Sequence, residues 1–240
     1  MGKRIIFTVT NDLRYDQRML RICTTLSAAG YEVALVGRHL PSSIPLQHQP
    51  YQQIRLKHLL FTAGKLFYIE YNLRLLFFLL FQRFDAICSI DLDTSIPGIL
   101  ISKIKNKPHI FDAHELFTHT PEVERRKSIQ KIWEAFQKFT FKHTNAAFTV
   151  GPAIAQYFEE KYNRPVAVVR NMPIKSGATN PKTTNQARTE INQLNSDNIN
   201  PSSPVWQSKI DALQGQHSFR PCRKYRQSSY LLAKVIFLKP

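Results

Sequence analysis

The feature that most constrains the fold is the alternation of two hydrophobic periods, strand-like and helical, sustained from residue 3 to about residue 173. Ile5, Ile6, Phe7 and Val9 form a short β-favouring run that Asn11 and Asp12 end with turn-forming side chains. Met19, Ile22, Cys23, Leu26 and Ala29 then recur at helical spacing, with Asp16 placed to cap the helix start and Gly30 where a helix end favours positive φ. Tyr31 to Gly37 is a second strand. Strand, helix and strand within about 30 residues make a parallel βαβ unit. Ligands meet such a unit at its first strand-to-helix loop, here Thr8 to Arg18.

The same alternation continues. Ile54, Leu56 and Leu60 mark a third strand, Ala86 to Ile90 a fourth, His109 to Phe111 a fifth, Ala146 to Val150 a sixth and Val166 to Val169 a seventh. Between them lie an apolar helix over 65–84, a helix beginning near Pro97, an amphipathic helix carrying Ile129, Ile132, Trp133, Phe136 and Phe139 on one side, and a helix around Ile154 to Tyr162. The helix over 65–84 presents Leu66, Ile69, Leu73, Leu76, Phe77 and Leu80 as one face, which predicts packing on a sheet. Its unbroken run Leu75 to Phe81 reaches only about 10 Å at helical rise, far short of roughly 30 Å of hydrocarbon, so the helix does not cross a bilayer. Arg74 and Arg83 leave peripheral contact with anionic lipid as the sharper alternative. Regular alternation without a tight-hairpin signal predicts an α/β fold, a doubly wound parallel, Rossmann-like sheet with helices on both faces.

In that architecture the strand C-terminal ends share one edge, and polar residues scattered through the sequence become neighbours. Asn11, Asp12, Asp16, Gln17 and Arg18 crowd the first loop, Asp91 and Asp93 follow the fourth strand, His114 and Glu115 follow the fifth, and Asn171 follows the last. Capping explains one of the five residues in the first loop. Arg18 places a cation where the helix dipole prefers an anion, which predicts a phosphate contact. His114 is flanked by carboxylates able to orient or charge its ring. Asp91 and Asp93 lack a third ligand nearby, so no metal is expected, and no cofactor is expected either. No Gly-rich dinucleotide fingerprint or P-loop occurs.

A net charge of +16 suits phosphate-bearing ligands, anionic headgroups or nucleic acid. Nucleic acid is disfavoured, because no helix-turn-helix, RRM, KH or zinc-finger pattern occurs and aromatic residues do not interleave with the basic ones. Cys23, Cys88 and Cys222 are unclustered, which argues against a disulfide framework or a zinc site and for a reducing, cytoplasmic setting. The start carries no signal-peptide pattern, and Ile6 stands where myristoylation requires Ser or Thr.

The pattern changes after Pro173. Residues 174–240 are rich in Asn, Ser, Gln and Pro and sustain no apolar face before Tyr230, so the expected organisation is a Rossmann-like domain over 1–173 and a largely disordered polar, basic tail over 174–240. The abruptness of the change is that of a truncated or frameshifted gene.

TNDLRYDQRMLRI with GYEVALVGR, then DAHE, AFTVGPAIAQYF and VVRNMP, resemble the N-terminal, acceptor-side half of family-4 glycosyltransferases of the GT-B architecture, over residues 3 to about 173. The resemblance implies transfer of a sugar from a nucleotide-sugar to a glycan or lipid-linked acceptor, usually retaining and usually without metal. It also implies that His114 faces the transferred sugar and acceptor with Glu115 assisting, that the Asn11 to Arg18 loop approaches donor phosphates or acceptor, and that Asn171 stands at a hinge to a second domain. The donor-binding domain of that family has no counterpart in the pattern of 174–240, which implies that this chain alone transfers poorly. The expected location is the cytoplasm, at the inner face of the membrane where the acceptor is lipid-linked. The competing reading is a non-catalytic acceptor-binding or membrane-surface module acting through basic charge.

Overall fold

A computed structural model of the chain describes residues 2–14, 16–57, 60–61 and 64–171. The expected tail over 174–240 lies outside the described residues. Among the described residues seven strands form one parallel sheet: β1 (Arg4–Thr8), β2 (Glu32–His39), β3 (Gln52–Lys57), β4 (Ala86–Ile90), β5 (His109–Ala113), β6 (Ala146–Thr149) and β7 (Val166–Val168). Their order is β3-β2-β1-β4-β5-β6-β7, so the winding reverses between β1 and β4. The helices are α1 (Gln17–Ala28), α2 (Gly64–Phe81), α3 (Ser95–Ile104), α4 (Pro121–Glu124), α5 (Lys127–His143) and α6 (Pro152–Tyr162). This is the doubly wound α/β sheet that the alternation predicts.

The period-two pattern of β1 sorts its side chains. Ile5 and Phe7 join Met19, Cys23 and Leu26 of α1 on one face, while Ile6 joins Phe67, Tyr71, Leu75 and Leu79 of α2 on the other. Beyond β4, that second face is covered by α5 and α6, where Phe141 and Phe158 pack on Phe111 and Ala147. Cys23 and Cys88 are fully buried within the α1-side core.

Local rules account for the start and end of α1. Asp16 accepts from the backbone N–H of Met19 at 2.9 Å, satisfying one of the donors left open at a helix start, and Gly30 follows the helix at φ 90°. Gly37 in β2 is required for a different reason. A Cβ there would lie 2.4 Å from Leu13 and 2.7 Å from the Asn11 carbonyl, so the first loop can lean on β2 only across a glycine.

Three expectations change. Leu60 lies outside β3, which ends at Lys57. The α2 face read as packed is the outward one: Leu66, Ile69, Leu73, Phe77 and Leu80 are exposed, and the sheet is met by Phe67, Tyr71, Leu75 and Leu79 instead. In a helix whose apolar residues run nearly all the way round, periodicity carries little information about which side is covered. On α5, Ile132 and Phe136 are exposed, and the buried positions are Gln137, Thr140 and Phe141.

Candidate functional site

Open parallel sheets receive ligands at the carboxyl ends of the strands where the strand order reverses, here between β1 and β4. Asp112, near the end of β5, is a fully buried carboxylate at this edge. Such a group requires a counter-charge and hydrogen bonds. Both come from the first turn of α1: Arg18 donates from Nε to Asp112 Oδ2 at 3.2 Å and from Nη2 to Oδ1 at 2.9 Å, while its Nη1 donates to the Val169 carbonyl at 2.8 Å. The guanidinium is 6% exposed. All three of its nitrogens are thus committed inside the protein. The anion anticipated for Arg18 is an internal carboxylate 94 residues away, and a direct phosphate contact is replaced by an internal strut.

Asp112 also holds His114, whose Nε2 donates to Oδ2 at 3.1 Å. On the other side of the ring, Nδ1 lies 3.5 Å from Asp91 Oδ2, and the His114 backbone N–H donates to Asp91 Oδ1 at 3.0 Å. Burial alone would lower the His114 pKa, but the hydrogen bond and charge of Asp112 and the charge of Asp91 outweigh it and raise the value above 6.5. Desolvation, reinforced by Asp93 and Asp112 and opposed by His114, pushes Asp91 up to about 7. Asp93 is pushed up to about 6 by burial, against a hydrogen bond donated by the Thr10 hydroxyl. Near neutral pH this edge therefore holds protons that the unfolded chain would have released.

The backbone of Asp91 is unusual as well, with φ 57° and ψ 176°, a region nearly reserved for glycine. Holding a residue with a Cβ there costs on the order of 1–3 kcal/mol. What the strain accomplishes is visible in the hydrogen bonds: it turns the carboxylate back onto the His114 backbone and ring.

Asp91, Asp93 and His114 thus come together, joined by Asp112 and Thr10. The first loop divides. Asp12 is buried and structural, bound to Arg55, the Ser43 hydroxyl and the Arg14 N–H. Desolvation would raise its pKa, but those hydrogen bonds and the Arg55 charge lower it overall. Asn11 donates to Asp16 Oδ2 at 3.0 Å, and Gln17 is exposed. Glu115 is exposed and, among the described residues, makes no hydrogen bond or ion pair. Asn171 accepts from Arg21 on α1, away from the histidine. Sequence reasoning passed over Thr10 and read Asp112 only as a carboxylate flanking His114, not as the partner of Arg18. The signal for Asp112 was a carboxylate in a strand otherwise buried throughout. Among the described residues no group of three His, Cys, Asp or Glu could hold a metal ion.

The parallel sheet that reverses its winding between β1 and β4 is the fold shared with the solved GT-B glycosyltransferase structures. The chain is a member of glycosyltransferase family 4, whose model matches residues 17–172. No curated protein matches the chain. Three solved structures illustrate the likeness of fold. Sucrose-phosphate synthase from Thermosynechococcus elongatus is 13% identical, with a TM-score of 0.57 over 84% of this chain and 54% of that one. Arabidopsis thaliana UGT89C1, complexed with UDP-L-rhamnose, is 11% identical, with a TM-score of 0.52 over 78% and 54%. A glycosyltransferase from Rickettsia africae ESF-5 is 9% identical, with a TM-score of 0.52 over 79% and 49%. The chain spans about half the length of each.

Proposed function

We propose that residues 3–171 are the acceptor-side half of an enzyme that transfers a hexosyl group from a nucleotide-sugar to a glycan or lipid-linked acceptor in polysaccharide assembly. The observation that carries this reading is the pairing of His114 Nδ1 with Asp91 Oδ2 at 3.5 Å, both on groups about one-quarter exposed at the carboxyl edge of the sheet. A sugar hydroxyl reaching this edge from solvent could donate to the carboxylate or accept from the ring N–H. His114 is then the residue that touches the reacting sugars, with Asp91 and Asp93 beside it and Glu115 open to neighbouring hydroxyls. Arg18 acts through Asp112 as a positioning residue. In the transfer, the anomeric C–O bond to the diphosphate breaks, a bond to the acceptor oxygen forms, and the acceptor hydroxyl proton is released. An imidazolium beside the departing diphosphate favours the charge that develops there, and that differential is what raises a rate.

The donor half is expected from a second domain reached through Asn171. The UDP-L-rhamnose bound to UGT89C1 supports a nucleotide-sugar as the donor class. Residues 174–240 carry no α/β alternation, so residues 1–240 are expected to transfer slowly by themselves. The expected site of action is the cytoplasmic face of a membrane, in peripheral contact with anionic lipid.

Saturation-transfer NMR of the full chain against glycan fragments, paired with a nucleotide-sugar turnover assay, tests this. Glycan signals that vanish in His114→Ala and Asp91→Asn are expected, with little turnover. Absence of both glycan binding and turnover sinks the reading. Robust turnover by the chain alone refutes the missing-half argument while leaving the transfer itself in place.

A further inference from the structure

Among the described residues three arginines of the sheet bury Nε without an acceptor: Arg4, Arg38 and Arg55. Two of them are satisfied through their other nitrogens. Arg4 pairs with Glu32 at 3.2 Å and donates to Gln52, and Arg55 pairs with Asp12 and donates to the Ile44 carbonyl. Arg38 differs. Among the described residues its guanidinium has no hydrogen-bond or ion-pair partner, and it lies over the Phe67 ring, with Cζ 4.6 Å from the centroid. A cation drawn partly out of water without an acceptor is costly, and the fold answers the same need at Arg18 with a carboxylate.

The position of Arg38 follows from the strand period. In β2, Val33 and Leu35 face α1 while Ala34 and Val36 face α2, so Arg38, at the carboxyl end of the strand, falls on the α2 side, where Phe67 meets it. Stacking fixes the guanidinium plane, and the N–H groups point outward from the edge of that plane. α2 begins at Gly64, so the turn that holds Phe67 adds the partial positive charge of a helix start to the same place. Tyr68, 42% exposed, has a hydroxyl without a hydrogen-bond partner among the described residues. Burial raises the pKa of Asp93 and of the Tyr68 phenol, and the Arg38 charge opposes both shifts, so the three groups are neighbours. Asp93 is held by the Thr10 hydroxyl and makes no ion pair with Arg38. It feels His114 as well as Arg38, which puts both cations within electrostatic reach of one carboxylate.

We infer that Arg38, with the Tyr68 hydroxyl near it, holds an oxyanion carried by the acceptor, a sugar carboxylate or a phosphate ester, and so makes the His114 edge selective for an acidic acceptor. The unpartnered N–H edge of Arg38 is the donor set that such a group needs, and a planar fork suits two oxygens at once. The inference rests on the acceptor-side reading above and adds the charge of the acceptor to it.

Saturation-transfer NMR of the full chain with glucuronate, glucose 6-phosphate and glucose tests it. At least one of the two acids should bind about tenfold more tightly than glucose, and the tighter of them identifies the oxyanion. Arg38→Gln should remove that advantage and leave glucose binding as it was. Arg38→Lys should restore only part of it, because an ammonium cannot reproduce the fork, and Tyr68→Phe should weaken the acids alone by about threefold. The melting temperature of Arg38→Gln should hold, since the substitution removes a stranded donor. Should Arg38→Gln unfold, the losses in Arg38→Lys and Tyr68→Phe decide instead. Acids that bind no better than glucose overturn the inference, as does an acid preference that survives Arg38→Gln, since Arg38 would then only brace Phe67. Either result leaves glycan binding by His114 and Asp91 standing, whereas failure of every sugar to bind sinks the acceptor-side reading as well.

Discussion

Arg18 and Asp112, 94 residues apart, are joined by two hydrogen bonds of 3.2 and 2.9 Å, with side chains 6% and 0% exposed. The pair locks the first turn of α1 to the end of β5 and fixes the oxygen that receives His114 Nε2. Removing one partner of a buried pair strands the other charge without compensation. Arg18→Met should therefore cost about 3–5 kcal/mol in urea unfolding, and Arg18→Met/Asp112→Leu should recover part of the loss. Lysine cannot reproduce the fork, so Arg18→Lys should remain destabilised. A loss below about 1 kcal/mol for Arg18→Met would show that water reaches Asp112.

His114 stands between two carboxylates, and its pKa is raised because Asp112 and Asp91 outweigh burial. A histidine whose folded pKa exceeds its unfolded value contributes stability that is complete below about 6.5 and lost as pH rises through the folded value. The advantage of the native chain over His114→Gln should accordingly be larger below pH 6.5 than in mildly alkaline buffer. In proton NMR the His114 ring should titrate above 6.5, and Asp91→Asn should move its midpoint down. A midpoint unmoved by Asp91→Asn would mean that the 3.5 Å contact carries no electrostatic coupling.

His109 behaves in the opposite sense. Its ring is fully buried, with Nε2 3.0 Å from the Ser89 hydroxyl and Nδ1 3.1 Å from the Thr144 hydroxyl, and burial pushes its pKa down to about 3. Below 6.5 the unfolded chain takes up a proton that the folded chain refuses, so this group removes about 1.4 kcal/mol of stability per pH unit as pH falls from 6.5 toward 3. Asp91 and Asp93, whose pKa values are raised, oppose that slope in the native chain. The difference between native and His109→Gln isolates it. Any stability margin of the native chain over that variant should shrink steadily on acidification, and a margin independent of pH would show the ring to be solvated.

Much of the architecture was readable because strand and helix periods alternate cleanly and because caps are local. Asp16 and Gly30 announce both ends of α1 within about a dozen residues of each other. The packed side of α2 was not readable, since a helix with phenylalanine and leucine on nearly every side has little periodicity to orient it. Of the candidate site, sequence order and the parallel sheet were enough to bring Asp91, Asp93 and His114 to one edge. The partnership of Arg18 with Asp112 was hidden because burial, and hence the need for a counter-ion, is a property of the folded sheet. The contacts of Asp12 are hidden from the sequence for the same reason: a polar residue in a strand-to-helix loop can be the peg that holds the loop, as Asp12 is here through Arg55 and Ser43.

The backbone of Asp91 offers a measurement that separates strain from contact. At φ 57° and ψ 176° a side chain is disfavoured by about 1–3 kcal/mol, whereas glycine is at ease. Asp91→Ala and Asp91→Gly both lose the carboxylate that accepts from the His114 N–H, so that loss cancels between them. Glycine adds about 0.4–1 kcal/mol of unfolded-state entropy, which works against it. Relief of strain outweighs that entropy, so Asp91→Gly should be the more stable of the two by about 1 kcal/mol. Both variants should lose glycan binding, because neither restores an acceptor opposite His114 Nδ1. If Asp91→Ala proved as stable as Asp91→Gly, the strained conformation would not be held in the folded chain, and the carboxylate would lose its reason to face the histidine.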